Sequence, residues 1–142
     1  MEIIIAKNSG FCYGVKRALQ LSRKAGQSQK NRIFSWGELI HNPEVIKKLE
    51  KDGIQVANSL SQLKPGDTVI IRSHGVSPAV YQALRKKRVR LIDATCPIVK
   101  KIQKTVAALS RRAGEIIIVG NRNHPEIQGL LGYSRGKARV VE

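Results

Sequence analysis

Two cysteines, three histidines and one glutamate hold most of the chemistry open to this 142-residue chain. Cys12 lies in Gly10-Phe-Cys-Tyr-Gly14, and Cys96 in Asp93-Ala-Thr-Cys-Pro97. Thiolates are soft ligands that select zinc or iron-sulfur clusters, but two of them complete neither usual site. A structural zinc would need two more ligands from His41, His74 and His124, none of which is paired with a cysteine at close spacing. An iron-sulfur cluster normally takes four thiolates, and an iron left without one becomes a Lewis-acid position for a substrate oxygen. Inert burial and a redox pair are the other readings of two thiols 84 positions apart. The neighbouring turn formers, Gly14 and Pro97, suit ligands displayed on loops better than core fillers.

His41, His74 and His124 each follow an apolar run, beside Asn42-Pro43, Gly75 and Pro125. A single loop histidine is commonly just solvated. Three on one sheet edge of a basic chain could bind an anion such as a diphosphate. Glu126, two positions after His124, reads equally as a proton carrier or as a carboxylate capping the next helix. Ser73-His-Gly-Val76 permits close backbone approach, yet neither a P-loop nor a G-x-G-x-x-G pattern is present, so a nucleotide site is unsupported.

These residues gain a common location if they sit at the carboxyl ends of parallel strands, where ligand crevices form. Apolar runs predict strands at Ile3–Ala6, Ile33–Trp36, Ile54–Ala57, Thr68–Arg72, Val89–Ala94, Glu115–Val119 and Ala138–Val141. Helical spacing predicts helices over Tyr13–Ala25, Pro43–Lys51, Pro78–Lys87 and Pro97–Arg112, the second capped by Asn42 and the last presenting Ile98, Ile102, Val106 and Leu109 on one face. The polar stretch Gly26–Asn31 closes the first helix. Strands alternating with helices imply an α/β fold, a parallel-sheet lobe with helices on both faces. Residues 1–96 make that first α/β lobe. Residues 97–142 begin a second, similar lobe that is too short to complete its own core.

Lys and Arg number 26 against 10 acidic residues, a formal charge of +16 with a pI near 10.5. Such a balance predicts anionic partners and non-specific, salt-sensitive binding of nucleic acid at low salt. A dedicated nucleic-acid module lacks support, since aromatics are only 4% and neither a stacking strand nor zinc-finger spacing is present. The densest cations, from Leu84 to Arg112, read as solvated helix faces. No apolar run approaches a membrane span, and Met1-Glu-Ile-Ile-Ile-Ala6 does not look like a signal peptide, so the expected location is the cytoplasm.

Five segments taken together, Gly10–Val15, Gly37–Pro43, Arg72–Val76, Asp93–Pro97 and Asn123–Glu126, resemble the amino-terminal part of the 4-hydroxy-3-methylbut-2-enyl diphosphate reductase (LytB/IspH) family. The resemblance implies a three-lobed α/β protein around a 4Fe-4S cluster. It makes Cys12 and Cys96 two of three cluster ligands, gives His41, His74 and His124 to the substrate diphosphate, and gives Glu126 to proton delivery. It further implies an allylic diphosphate substrate, isopentenyl and dimethylallyl diphosphate as products, and an electron donor such as ferredoxin or flavodoxin. The family's third cysteine belongs to a carboxy-terminal half absent from these residues. The chain therefore reads as a truncated member, inactive alone, whose missing half a separate chain could supply; a non-catalytic, partner-binding fragment is the alternative.

Overall fold

The computed structural model of the chain describes residues 1–7, 9–27, 31–112 and 114–142. Four short apolar runs form its first sheet: β1 (Ile33–Trp36), β2 (Ile54–Ala57), β3 (Thr68–Ile71) and β4 (Arg90–Asp93). All pairs are parallel, in the order β2-β1-β3-β4, with Ile33 level with Ile54 and Thr68, and Thr68 level with Arg90. Every residue of β3 is buried, as a central parallel strand covered on both faces requires.

Helices α1 (Tyr13–Gln27) and α2 (Pro43–Lys51) cover one face, where Ala18, Ala25 and Leu49 meet Ile33, Ile54 and Ile70. Helix α3 (Pro78–Lys86) covers the other, where Leu84 joins Phe34, Val69 and Ile71. The starts of α2 and α3 follow from local chemistry. Asn42 Oδ1 accepts from Val45 N at 3.1 Å, and Ser77 Oγ accepts from Val80 N at 3.4 Å, each cap preceding a proline in the first turn.

The remaining elements are α4 (Pro97–Leu109), β5 (Ile116–Val119), α5 (Pro125–Tyr133) and β6 (Ala138–Val141), with β5 and β6 forming a separate two-stranded parallel sheet. Val106 of α4, Ile118 of β5 and Leu130 of α5 centre a small core, joined by Ile116, Ile127 and Val140. The order repeats that of the first sheet. Cys12 directly precedes α1, which leads to β1, a proline-started helix and a strand parallel to β1; Cys96 directly precedes α4, which leads to β5, a proline-started helix and a strand parallel to β5. Asn42-Pro43-Glu44 in the first copy corresponds to His124-Pro125-Glu126 in the second.

Three expectations are corrected. Residues 3–6 form no strand: Ile3, Ile4 and Ile5 are exposed, because no strand edge among the described residues lies alongside them to satisfy their backbone. Helix α4 buries Val99, Gln103 and Val106, while Ile98, Ile102 and Leu109 face outward; it also stops at Leu109 rather than Arg112. Strand β5 is covered on one face only, with Ile118 buried and Ile117 and Val119 exposed. By register with β1, Ile117 and Val119 correspond to Phe34 and Trp36, which α3 covers in the first sheet. Part of the polar stretch expected to close α1, residues 28–30, lies outside the described residues.

Candidate functional site

Because the strands of the first sheet are parallel, the segments leaving β1, β3 and β4 emerge on one edge, and they carry His41, His74 and Cys96 respectively. Hydrogen bonding continues past the strand ends and fixes their relation. Ser73, buried, donates from both N and Oγ to Leu39 O at 3.1 and 3.0 Å, while its own carbonyl accepts from Cys96 N at 2.9 Å. The loop after β5 reaches the same place from the second sheet. The His124 ring centroid lies 5.5 Å from that of His41 and 5.4 Å from that of His74, and the latter two are 4.4 Å apart. One ring nitrogen from each of the three lies within 4.8 Å of the others.

The three imidazoles differ in environment. His41 is exposed, its Nδ1 3.8 Å from Glu38 Oε2. His124 caps α5, and its Nδ1 accepts from Glu126 N at 3.2 Å. That bond needs the Nδ1 lone pair, so neutral His124 carries its proton on Nε2 and can donate it outward. His74 is half-buried with Nδ1 lacking a partner. Burial pushes its pKa down to about 4, helped by His41, His124 and Arg72.

A group that is harder to protonate in the folded state than in the unfolded chain stabilises the fold above its unfolded pKa, near 6.5, and loses that contribution as pH falls through the folded value. Stability is therefore expected to decline between pH 6.5 and about 4, by about 1–2 kcal/mol once partial exposure of the ring is allowed for. Urea midpoints measured across that window should flatten in His74→Asn, and an unchanged slope would contradict the assignment to His74.

Helix α1 links the two cysteine loops. Cys12 sits at its start, its carbonyl accepting from Lys16 N at 3.0 Å. Cys96 caps α4 without a side-chain capping bond, leaving its sulfur uncommitted. A Cβ on Gly14 would lie 2.6 Å from Cys96 Sγ and 3.1 Å from Cys96 Cβ, so the sulfur rests on bare backbone two residues beyond Cys12. Both cysteines are free. Two uncommitted thiols at helix starts, one seated in a hollow beside the first turn of the helix that the other precedes, fit two positions of an iron-sulfur ligand set.

The Cys96 loop is clamped by residues that the motifs alone did not single out. Arg17 on α1 donates from Nη1 to Thr95 O at 3.2 Å and from Nη2 to Asp93 O at 3.3 Å. Asp93 Oδ1 accepts from Thr95 N at 3.0 Å, and its Oδ2 lies 2.7 Å from Lys100 Nζ. Burial alone would raise the Asp93 carboxyl; the hydrogen bonds from Lys100 and Thr95 overcome it and hold the pKa below the usual range. Asp93 is thus an anchor for the loop. Glu126 occupies the first turn of α5, partly buried, with its N–H committed to His124.

A histidine cluster rich in N–H donors can hold a polyanion, and the thiol pair beside α1 can hold soft metal. Residues 3–142 match the family model described as LytB protein. The chain is 46% identical over 144 residues to the 4-hydroxy-3-methylbut-2-enyl diphosphate reductase of Caldanaerobacter subterraneus subsp. tengcongensis, covering 99% of this chain and 50% of that one. It is 44% identical to the enzyme of the same name from Aquifex aeolicus, again covering 50% of its length. Among solved structures, a reductase described as the terminal enzyme of the non-mevalonate pathway superposes with a TM-score of 0.87 at 44% identity, covering 99% of this chain and 50% of the other. The reductase of Plasmodium falciparum superposes with a TM-score of 0.92 at 33% identity, over 96% of this chain and 43% of its own. The chain thus spans about half the length of the relatives it matches. With the model matched along nearly all of its length, the chain belongs to the LytB protein family.

Proposed function

We propose that this chain provides the amino-terminal half of a 4-hydroxy-3-methylbut-2-enyl diphosphate reductase, converting that allylic diphosphate to isopentenyl and dimethylallyl diphosphates. The observation that carries the reading is the meeting of His41, His74 and His124, from three separate loops, with ring nitrogens within 4.8 Å of one another. Cys12 and Cys96 would hold two irons of a 4Fe-4S cluster, and the third thiolate would come from sequence beyond these residues. When bound, such a cluster supplies electrons and, at an iron lacking cysteine, a Lewis-acid position.

The chain's own residues bind, orient and move protons. The three imidazoles donate N–H bonds to the diphosphate, anchoring one end of the substrate. Glu126 supplies the proton with which the hydroxyl leaves as water. Overall the substrate takes up two electrons and two protons, its allylic C–O bond breaks, a C–H bond forms, and one water departs. The electrons come from a small redox carrier such as ferredoxin or flavodoxin, and the reaction belongs in the cytoplasm.

Within this reading residues 1–96 are the first lobe and 97–142 open a second. The bare face of Ile117, Val119 and Val141 supports a covering polypeptide there, whether continuous with this chain or separate. Among the described residues, no helix is long and apolar enough to cross a membrane.

The test is anaerobic reconstitution with iron and sulfide, alone and with the carboxy-terminal half of the Caldanaerobacter relative added as a second chain. The combined halves are expected to bind about four irons and four sulfides per pair and to turn over the allylic diphosphate. Cys12→Ala or Cys96→Ala should abolish both. No iron and no turnover in the combined wild-type halves would refute the reading.

A further inference from the structure

A diphosphate is a polyanion, and the half-buried His74 is held neutral down to about pH 4, so a permanent cation beside it would add charge that this imidazole cannot supply. Arg72 is placed to be that group. It leaves the end of β3 two residues before His74, close enough for its charge to act on that imidazole. Its guanidinium lies against Gly37: a Cβ there would come within 2.6 Å of Nη1 and 3.3 Å of Cζ. Gly37 also has φ +70°, so the turn after β1 is left-handed and bare where the guanidinium rests.

Despite this seating, Arg72 is not consumed by the fold. Its Nε is buried without a hydrogen-bond partner. Burial lowers its pKa, and the charge of Glu38, on the same turn as Gly37, raises it. The exposed Glu38 carboxylate thus lies between two groups of the pocket, acting on Arg72 while its Oε2 stands 3.8 Å from His41 Nδ1. A planar fork of N–H donors with an orphaned nitrogen, its charge acting on the His74 imidazole, is the usual recognition chemistry for phosphate.

We propose that Arg72 is the fixed cation of the histidine pocket, binding a phosphate of the diphosphate ligand, and that Glu38 is the counter-ion this phosphate displaces. The assignment rests on the diphosphate reading above. The charged and titratable groups facing Arg72 and the pocket are Glu38 and His41 from the segment after β1, His74 from its own loop and His124 from the segment after β5. Burial keeps the His74 imidazole neutral down to about pH 4, whereas Arg72 is charged throughout. Above that pH Arg72 therefore carries a charge that His74 lacks.

Calorimetric titration with inorganic pyrophosphate at fixed ionic strength, at about pH 8 and about pH 5.5, tests the assignment. Wild type is expected to bind at both. Arg72→Gln should weaken binding about tenfold or more at both pH values, since at neither does His74 take over the charge. Glu38→Gln, at an exposed position where the fold is undisturbed, should tighten binding several-fold at about pH 8. Lys101→Gln, an exposed lysine on α4, should match wild type and so report the contribution of overall charge. Wild-type affinity in Arg72→Gln at the higher pH, or unchanged or weaker affinity in Glu38→Gln, overturns the assignment. If Arg72→Gln does not fold, Glu38→Gln decides. Failure of wild type to bind pyrophosphate at either pH instead removes the diphosphate reading itself.

Discussion

Gly14→Ala is expected to abolish assembly of an iron-sulfur centre on Cys12 and Cys96 while leaving the chain folded. The added methyl would stand 2.6 Å from Cys96 Sγ, closer than such atoms approach, and 3.1 Å from its Cβ, a tight contact. Either the sulfur rotates away, or the first turn of α1 retreats and carries Cys12 with it. Both outcomes change the spacing of the two thiols, and metal sites tolerate errors of only about 0.2 Å. Folding should suffer little, since alanine suits a helix better than glycine by about 1 kcal/mol and offsets part of the local displacement. Iron and acid-labile sulfide per chain should fall about tenfold or more in the combined halves, with a thermal midpoint within a few degrees of wild type. Gly26→Ala, in the same helix, meets only Asp52 O at 3.9 Å and should keep full iron content. Normal iron content in Gly14→Ala would show that the contact with Cys96 does not set the site.

The second large effect concerns stability. Ile70 lies at the centre of β3 with no exposed surface, inside the cluster that binds α1 and α2 to the sheet. Ile70→Ala is expected to cost about 2–5 kcal/mol, the transfer energy of the lost methyl groups plus the cavity they leave. For a domain whose total stability is about 5–15 kcal/mol, that is a large fraction, and the urea midpoint should drop with little change in slope. Ile117→Ala removes the same atoms from a strand of the same kind, yet Ile117 is 65% exposed and should change stability by less than about 0.5 kcal/mol. Equal losses at the two positions would mean that the outer face of β5 is covered in solution. Ile117→Ser with Val119→Ser should, for the same reason, reduce self-association seen by light scattering.

Much of the fold was legible because its strands are short apolar runs punctuated by glycine, proline and cap residues. Residues 33–36, 54–57 and 138–141 fall where the pattern put them, and so do the starts of α2, α3 and α4 at Pro43, Pro78 and Pro97. The failures share a cause. Ile3–Ala6 has the composition of a strand, but composition shows only that a segment can be buried, not that a partner lies beside it. On helix α4 periodicity put Ile98, Ile102, Val106 and Leu109 on one face, whereas packing buried only Val106 of these, together with Val99 and Gln103.

The histidines and cysteines were found through their motifs, and the structure brings the three imidazoles together. Arg17 was not singled out, and Arg72 was quoted only as the head of a motif, because nothing in a sequence with 26 Lys and Arg marks those whose side chains turn inward. Arg17 acts on carbonyls 76 and 78 positions away, a relation created only by folding. Gly14 and Gly37 were quoted as parts of motifs, but their reason, a sulfur against one and a guanidinium against the other, is likewise tertiary.

The recurrence of cysteine, helix, strand, proline-started helix and strand lets each position of one unit be set against its counterpart in the other. Glu44 and Glu126 are the same position in the two copies. Glu44 is 81% exposed and pairs with Lys47 at 3.1 Å on a solvated turn, an ordinary carboxylate at a helix start. Its counterpart heads a helix whose cap, His124, meets two histidines from the first sheet. The reactive role proposed for Glu126 therefore required no new residue type. One helix start is left to solvent, and the same start in the second unit stands where loops from both sheets converge.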